Sequence, residues 1–309
     1  MPTTILDGVV PIIPTPFTAD EQIDFDALAA CVQFAAKSRL GAVCLPAYAS
    51  EFYKLSDAER RRAVETAIQS AGGKLAVVAQ ANHPSARIAA QIAADYEGLG
   101  ASLISFALPR IFALKESDLL DYASAICRAV KLPVLIQDFN PGGPTVGGDF
   151  ARRLAGDCPN FRYLKLEESL MGPKIRGIID ATEGRIGVLE GWGGMYLLDL
   201  IPAGICGLMP GLAVADLLQQ VWQLVHSHKD DEALAIFQVV LPQVLYALQN
   251  SELFNWMEKR LLVARGVIPQ ASSHVRKATF TPDDATLAYG DQLNSQIVAL
   301  ARKFGLPPG

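Results

Sequence analysis

Phe161-Arg162-Tyr163-Leu164-Lys165-Leu166-Glu167-Glu168-Ser169 is the stretch on which the rest of the chain turns. Phe161 to Leu166 has the make-up of a short strand, set off by Cys158-Pro159-Asn160 before it and by two carboxylates after it. Lys165 stands near the C-terminal end of that strand, between Leu164 and Leu166. An ammonium is costly to bury in an apolar run, so a protein tends to keep such an amine partly neutral. The neutral amine is the form that attacks a ketone to make a Schiff base. The ordinary alternative is a strand-end lysine that reaches solvent or pairs with Glu167 or Glu168. If the strand runs on, those two carboxylates alternate in direction, one toward Lys165 and one toward the surrounding helices.

Outward from this strand, short apolar runs alternate with amphipathic stretches at intervals of roughly 30 residues, the size of one strand–helix unit. The runs are Val9–Pro14, Ala42–Leu45, Leu75–Ala79, Ser102–Phe106, Pro133–Gln137, Phe161–Leu166, Arg185–Leu189 and Gly207–Met209. Helical patterns are expected at 25–38, 56–71, 85–99, 116–130, 148–155, 172–181, 194–203 and 214–227, with a capping box at Ser56-Asp57-Ala58-Glu59. Strands that alternate with helices imply a parallel sheet, and eight units is the number that closes a (β/α)8 TIM barrel. Residues 1–227 are therefore read as the barrel. Residues 228–309 are read as a C-terminal helical extension packed on it or building a subunit contact, with helices at 230–248, 252–265 and 282–304.

Half of the 309 residues are hydrophobic and 19% are charged, enough to bury a sizeable core. A net charge of −5 without basic blocks argues against nucleic acid. The five cysteines are scattered, with no CxxC pair, as expected of reduced core thiols in the cytoplasm. Met1-Pro2-Thr3-Thr4 has no signal-peptide character, and no run of about 18 uncharged apolar residues offers a membrane span. Nothing resembles a metal-ligand motif, so neither a metal nor a dissociable cofactor is expected.

The barrel matters because active sites of this fold sit at the C-terminal ends of the strands. Lys165 is at such an end, which favours the Schiff-base reading. Tyr48 to Glu51, His83, Arg110, Gln137 with Asp138, Gly191 to Gly194 and Met209 to Gly211 hold the same place after other strands.

The chain resembles the dihydrodipicolinate synthase and N-acetylneuraminate lyase superfamily of class I aldolases over about residues 8 to 227. Gly8 to Phe17 looks like the family's opening strand, and Ala47-Tyr48-Ala49-Ser50-Glu51-Phe52 stands where the family has its GTTGE loop. Tyr163-Leu164-Lys165 stands at the Schiff-base lysine. The family tyrosine after strand 5, which relays a proton in its aldolases, is replaced here by Gln137-Asp138-Phe139-Asn140-Pro141. The arginine that holds the second substrate of dihydrodipicolinate synthases has no counterpart in Pro141 to Val146. The closer likeness is to the L-2-keto-3-deoxyarabonate dehydratases and their sugar-acid relatives. Gln137-Asp138, Ser50-Glu51, His83 and Glu190-Gly191-Trp192-Gly193-Gly194 stand at positions similar to theirs.

The resemblance implies a lyase that joins Lys165 to the 2-oxo group of a 2-keto-3-deoxy sugar acid and dehydrates it. The alternatives are a pyruvate-releasing aldolase and a non-catalytic barrel that binds a 2-oxo acid. Gln137, Tyr48 and His83 are candidates for catalysis beside Lys165; His83 is also readable as an ordinary loop histidine. Ser50, with the backbone around Ala49, is the candidate for the substrate carboxylate, and Glu51 more plainly props that loop. Asp138, Gly191 and Met209 are candidates for contact with the rest of the substrate, and Trp192 for a wall of the pocket. A homotetramer or homodimer is expected from the family.

Overall fold

The computed structural model describes residues 6–140, 143–277 and 280–306. Met1-Pro2-Thr3-Thr4 and Pro141, which entered the sequence reading, lie outside them. Eight strands belong to one sheet in the order β1-β8-β7-β6-β5-β4-β3-β2, and each is followed by helix, so the chain is a (β/α)8 barrel with a C-terminal helical extension. The chain divides into two compact units: Ala76–Met209 with the stretch ending at Asp7, and Gly8–Leu75 with Pro210–Gly309.

The first unit alternates β3 (Ala76–Gln80), α3 (Ala86–Leu99), β4 (Leu103–Ala107), α4 (Glu116–Cys127), β5 (Val134–Phe139) and α5 (Gly148–Asp157). It continues through β6 (Phe161–Glu167), α6 (Gly172–Ala181), β7 (Gly187–Glu190), α7 (Leu197–Leu200) and β8 (Gly207–Leu208). All pairs from β3–β4 to β7–β8 are parallel. The strands read as near-continuous apolar runs because both faces are covered: β4 is buried at every residue. Buried polar residues gather toward the C-terminal ends, as Gln80, Gln137, Asp138, Lys165, Glu167 and Glu190.

The second unit holds β1 (Gly8–Val9), α1 (Phe25–Lys37), β2 (Ala42–Leu45) and α2 (Asp57–Ala71), then α8 (Ala215–His226), α9 (Asp230–Ala247), α10 (Ser251–Ala264) and α11 (Asp284–Lys303). The Ser56–Glu59 capping box is present in full and starts α2, and the Asp24 carboxylate starts α1 by accepting from the N–H groups of Asp26 and Ala27. The boundary expected at residue 227 falls between α8 and α9 and remains our proposal for the division.

Three expectations change at their ends. The run Val9–Pro14 is a strand only at Gly8–Val9, with an isolated bridge from Ile12 to Cys44, because Pro11 and Pro14 have no N–H for the ladder. Helix 116–130 stops at Cys127, and the Asn160 side chain takes the freed carbonyls of Cys127 and Val130 at 2.9 and 3.0 Å. Helix 194–203 shrinks to α7 and a 3-10 turn, since Gly193 and Gly194 take φ of 65° and 88°, outside the right-handed helix.

Candidate active site

Lys165 lies on β6 with Gln137 of β5 on one side in register and Leu189 of β7 on the other. It is 5% exposed. Two residues along, on the same side of the strand, Glu167 brings Oε1 to 2.9 Å from Lys165 Nζ. The continuation of β6 through Glu167 therefore decides which carboxylate meets the lysine. Glu168 turns away. It accepts from the Thr145 N–H at 2.7 Å and hydroxyl at 2.8 Å, and pairs with Lys174 at 2.5 Å. Burial raises the Glu168 carboxyl, but Lys174 and Thr145 outweigh that and hold it below its ordinary value.

Gln137 donates from Nε2 to the same Glu167 Oε1 at 2.5 Å, and its own Oε1 accepts from Gln80 Nε2 at 2.6 Å. Gln80 Nε2 also reaches Asn82 Oδ1 at 3.2 Å, and that oxygen accepts from the Ala107 N–H at 2.8 Å. A chain of amides thus runs from the end of β4 to the carboxylate beside the lysine. Each member fixes the orientation of the next, so Glu167 is held rather than free to swing. Gly191 makes room for it. A Cβ at that position would stand 2.9 Å from Glu167 Oε1 and from the Leu166 carbonyl, and would collide with Glu167 Cγ.

Glu190, in register with Leu166, is fully buried. Burial pushes its carboxyl up to about 7; the Gly194 N–H and the charge of Lys165 pull it down, and Glu167 adds to the rise. Its Oε2 accepts from the Gly194 N–H at 2.8 Å, and its Oε1 is buried without a partner among the described residues. A cavity of about 450 Å³ opens at the C-terminal ends of these strands, lined by Asn140, Glu167, Glu168, Ser169, Trp192 and Tyr196 among others. Trp192 meets Phe139 edge to face at 5.9 Å.

Other residues singled out in the sequence take different places. Asp138 accepts from Arg110 Nε and Nη2 at 2.8 and 2.6 Å and from the Val146 N–H at 2.7 Å. Both its oxygens are occupied in anchoring the segment after β5. The His83 ring accepts from the Ser85 N–H at 3.0 Å just ahead of α3, and its carbonyl accepts from the Tyr122 hydroxyl at 2.7 Å. Met209 is buried and donates its N–H to the Glu190 carbonyl at 2.9 Å.

In the second unit, Tyr48, Ala49 and Ser50 form a 3-10 turn after β2. Tyr48 is 37% exposed and meets the Phe52 ring edge-on. Ser50 is fully buried; its hydroxyl donates to the Ile13 carbonyl at 2.6 Å, and its carbonyl accepts from the Thr15 hydroxyl at 2.6 Å. Glu51 is in the left-handed region at φ 61°. Its two oxygens pair with Lys259 at 2.5 Å and Lys54 at 2.7 Å, and Lys54 pairs onward with Glu252 at 2.6 Å. These side chains are 0–6% exposed. Burial lowers the Lys259 amine, and Glu51 opposes that.

The partners that the sequence reading missed are Gln80 and Asn82. Their signal was present: two amides closing an otherwise apolar run at the end of β3. Among the described residues, no three His, Cys, Asp or Glu side chains gather in a way that holds a metal ion, and no helix is long and apolar enough to cross a membrane.

Known proteins share this architecture. Dihydrodipicolinate synthase from Rhodopseudomonas palustris superposes with a TM-score of 0.87 at 23% identity, over 94% of this chain and 98% of that one. N-acetylneuraminate lyase from Fusobacterium nucleatum gives 0.84 at 18%, over 96% and 100%. In sequence, the chain is similar to L-2-keto-3-deoxyarabonate dehydratase of Azospirillum brasilense, 23% identical over 304 residues that span 96% of this chain and 94% of the relative. The model of the dihydrodipicolinate synthetase family matches residues 5–274, which include every strand and the Lys165–Glu167 pair, and the chain belongs to that family of lyases.

Proposed function

We propose that this protein is a Schiff-base-forming hydro-lyase that dehydrates a 2-keto-3-deoxy sugar acid of the L-2-keto-3-deoxyarabonate kind. The observation that carries it is the carboxylate of Glu167 at 2.9 Å from the Lys165 amine. Lys165 attacks the C2 carbonyl, first passing its ammonium proton to Glu167 within hydrogen-bond reach. Glu167 returns that proton to the carbinolamine hydroxyl, which leaves as water; the protonated imine that results acidifies C3, and Glu167 is again a carboxylate. Glu167 takes the C3 proton to leave an enamine. The enamine expels the C4 hydroxyl, to which the protonated Glu167 returns the proton as water departs. Hydrolysis of the unsaturated imine frees Lys165 and the dehydrated 2-oxo acid. Gln137 fixes Glu167 through Oε1, which leaves the second oxygen to meet the substrate.

Aldol cleavage would need a group that accepts the proton of the C4 hydroxyl. An amide at position 137 has no such capacity, and in this scheme Glu167 carries the C3 proton when the C4 bond breaks, which supports dehydration over release of pyruvate. Binding of the substrate carboxylate by Ser50 and the backbone at Ala49 stays a proposal resting on the sequence. So does a cytoplasmic homo-oligomer, which the free cysteines and the exposed Ile111, Phe112 and Leu170 support.

The test is borohydride reduction in the presence of pyruvate or a 2-keto-3-deoxy acid, read by intact mass, with product analysis beside it. Wild type gains a reduced adduct mapping to Lys165, Lys165→Ala gains none, and the product is a dehydrated 2-oxo acid. An unlabelled wild type, or pyruvate with an aldehyde as products, sinks the proposal.

A further inference from the structure

We propose that the cavity lined by Asn140, Glu167, Glu168, Ser169, Trp192 and Tyr196 seats the distal end of the substrate and accepts a neutral, hydroxylated tail while refusing a second carboxylate or a phosphate. The assignment rests on the Schiff-base reading. With C2 bonded to Lys165 Nζ, C3 stands beside Glu167, and C4 onward continues into the space that Glu167 borders. At about 450 Å³ the cavity is of the size that takes a small ligand.

Its chemistry selects the tail. These lining residues include no lysine, arginine or histidine; of the two carboxylates, Glu168 is taken up by Thr145 and Lys174, and Glu167 keeps the oxygen that Gln137 does not hold. The nearby cations are already spent: Lys174 on Glu168 and Thr145, and Arg110 on both oxygens of Asp138. Asn140 commits its Nδ2 to the Pro144 carbonyl at 2.7 Å, so the amide presents an acceptor oxygen. The wall is therefore rich in acceptors. Hydroxyl groups donate and satisfy it; carboxylate and phosphate at neutral pH bring mainly acceptors and negative charge, and would shed water with no cation to replace it. The Ser169 and Tyr196 hydroxyls complement whichever lone pairs the tail presents. The Trp192 ring, held edge-on by Phe139, offers an apolar face to the C–H side of the chain.

The experiment compares kcat/KM for three 2-keto-3-deoxy acids of equal chain length that end in CH2OH, in carboxylate or in a phosphate ester. Wild type is expected to favour the CH2OH tail by at least about 100-fold. Ser169→Arg, an exposed position, is expected to raise the carboxylate-to-CH2OH ratio at least about tenfold, chiefly through KM. Asn140→Lys serves in its place should the first variant melt at lower temperature than wild type. Equal use of the three tails by wild type, or a ratio unmoved in a folded variant, overturns the assignment alone if pyruvate still labels Lys165. Absence of that label overturns the assignment together with the Schiff-base reading.

Discussion

A lysine and a carboxylate two positions apart on one strand are ordinary; what sets Lys165 and Glu167 apart is the set of residues that hold them. Gln137 and Lys165 converge on one oxygen of Glu167, and Gly191 gives its carboxylate the space. Replacing that carboxylate with an amide keeps the shape and removes the base. Glu167→Gln is accordingly expected still to give the borohydride-trapped adduct, formed more slowly, while turnover falls about 10²- to 10⁴-fold, the usual contribution of a positioned base. Adduct mass and turnover measured on the same preparation check it. A variant that turns over like wild type would move the base elsewhere, with Glu190 the next carboxylate to test.

At the scale of elements, the loop after β2 and helix α10 are locked by buried charge. Glu51, Lys54, Glu252 and Lys259 sum to zero, and the Tyr53 hydroxyl adds a hydrogen bond to Glu252 at 2.6 Å. Lys259 also donates to the His274 carbonyl at 2.9 Å and lies over the Phe17 ring. Such a network is weak evidence for net stability, yet removing one partner strands a charge away from water. Lys259→Met is expected to cost about 3–5 kcal/mol in urea unfolding, and the double variant with Glu51→Gln to recover much of it. A single variant as stable as wild type would show that water reaches the site.

For the molecule as a whole, stability should depend on pH in a way set by its buried acids. Burial pushes Glu190 and Glu258 up to about 7 from an ordinary 4.5. Between those values the unfolded chain has released both protons and the folded chain still holds them. Raising the pH through this window therefore favours unfolding, on the order of 3 kcal/mol for each carboxyl. Glu59 works the other way. The hydrogen bond from Arg276 lowers it to about 2, so its contribution is present above pH 4.5 and is lost as pH falls through 2. Urea midpoints measured from pH 3 to 8 should peak near pH 5 and decline toward neutrality, with a flatter decline in Glu258→Gln. A midpoint that climbs steadily to pH 8 would contradict this.

The (β/α)8 architecture, the position of Lys165 at a strand end and the capping of α2 were legible in the sequence, because each rests on local periodicity or on side-chain–backbone bonds within a few residues. The ends of strands and helices were less so wherever proline or positive-φ glycine interrupts the pattern, as at Pro11 and Gly194. The choice of Glu167 over Glu168 depended on how far β6 continues, and the occupation of Asp138 depended on Arg110, 28 residues away. The amide chain from Asn82 through Gln80 and Gln137 joins residues 57 apart at its longest step. Sequence determined which residue types stand at which strand ends, since these are local properties. Only the tertiary structure decided which carboxylate meets the lysine and which polar groups are already spent, because hydrogen bonds between strands are set by register and packing that no short window contains.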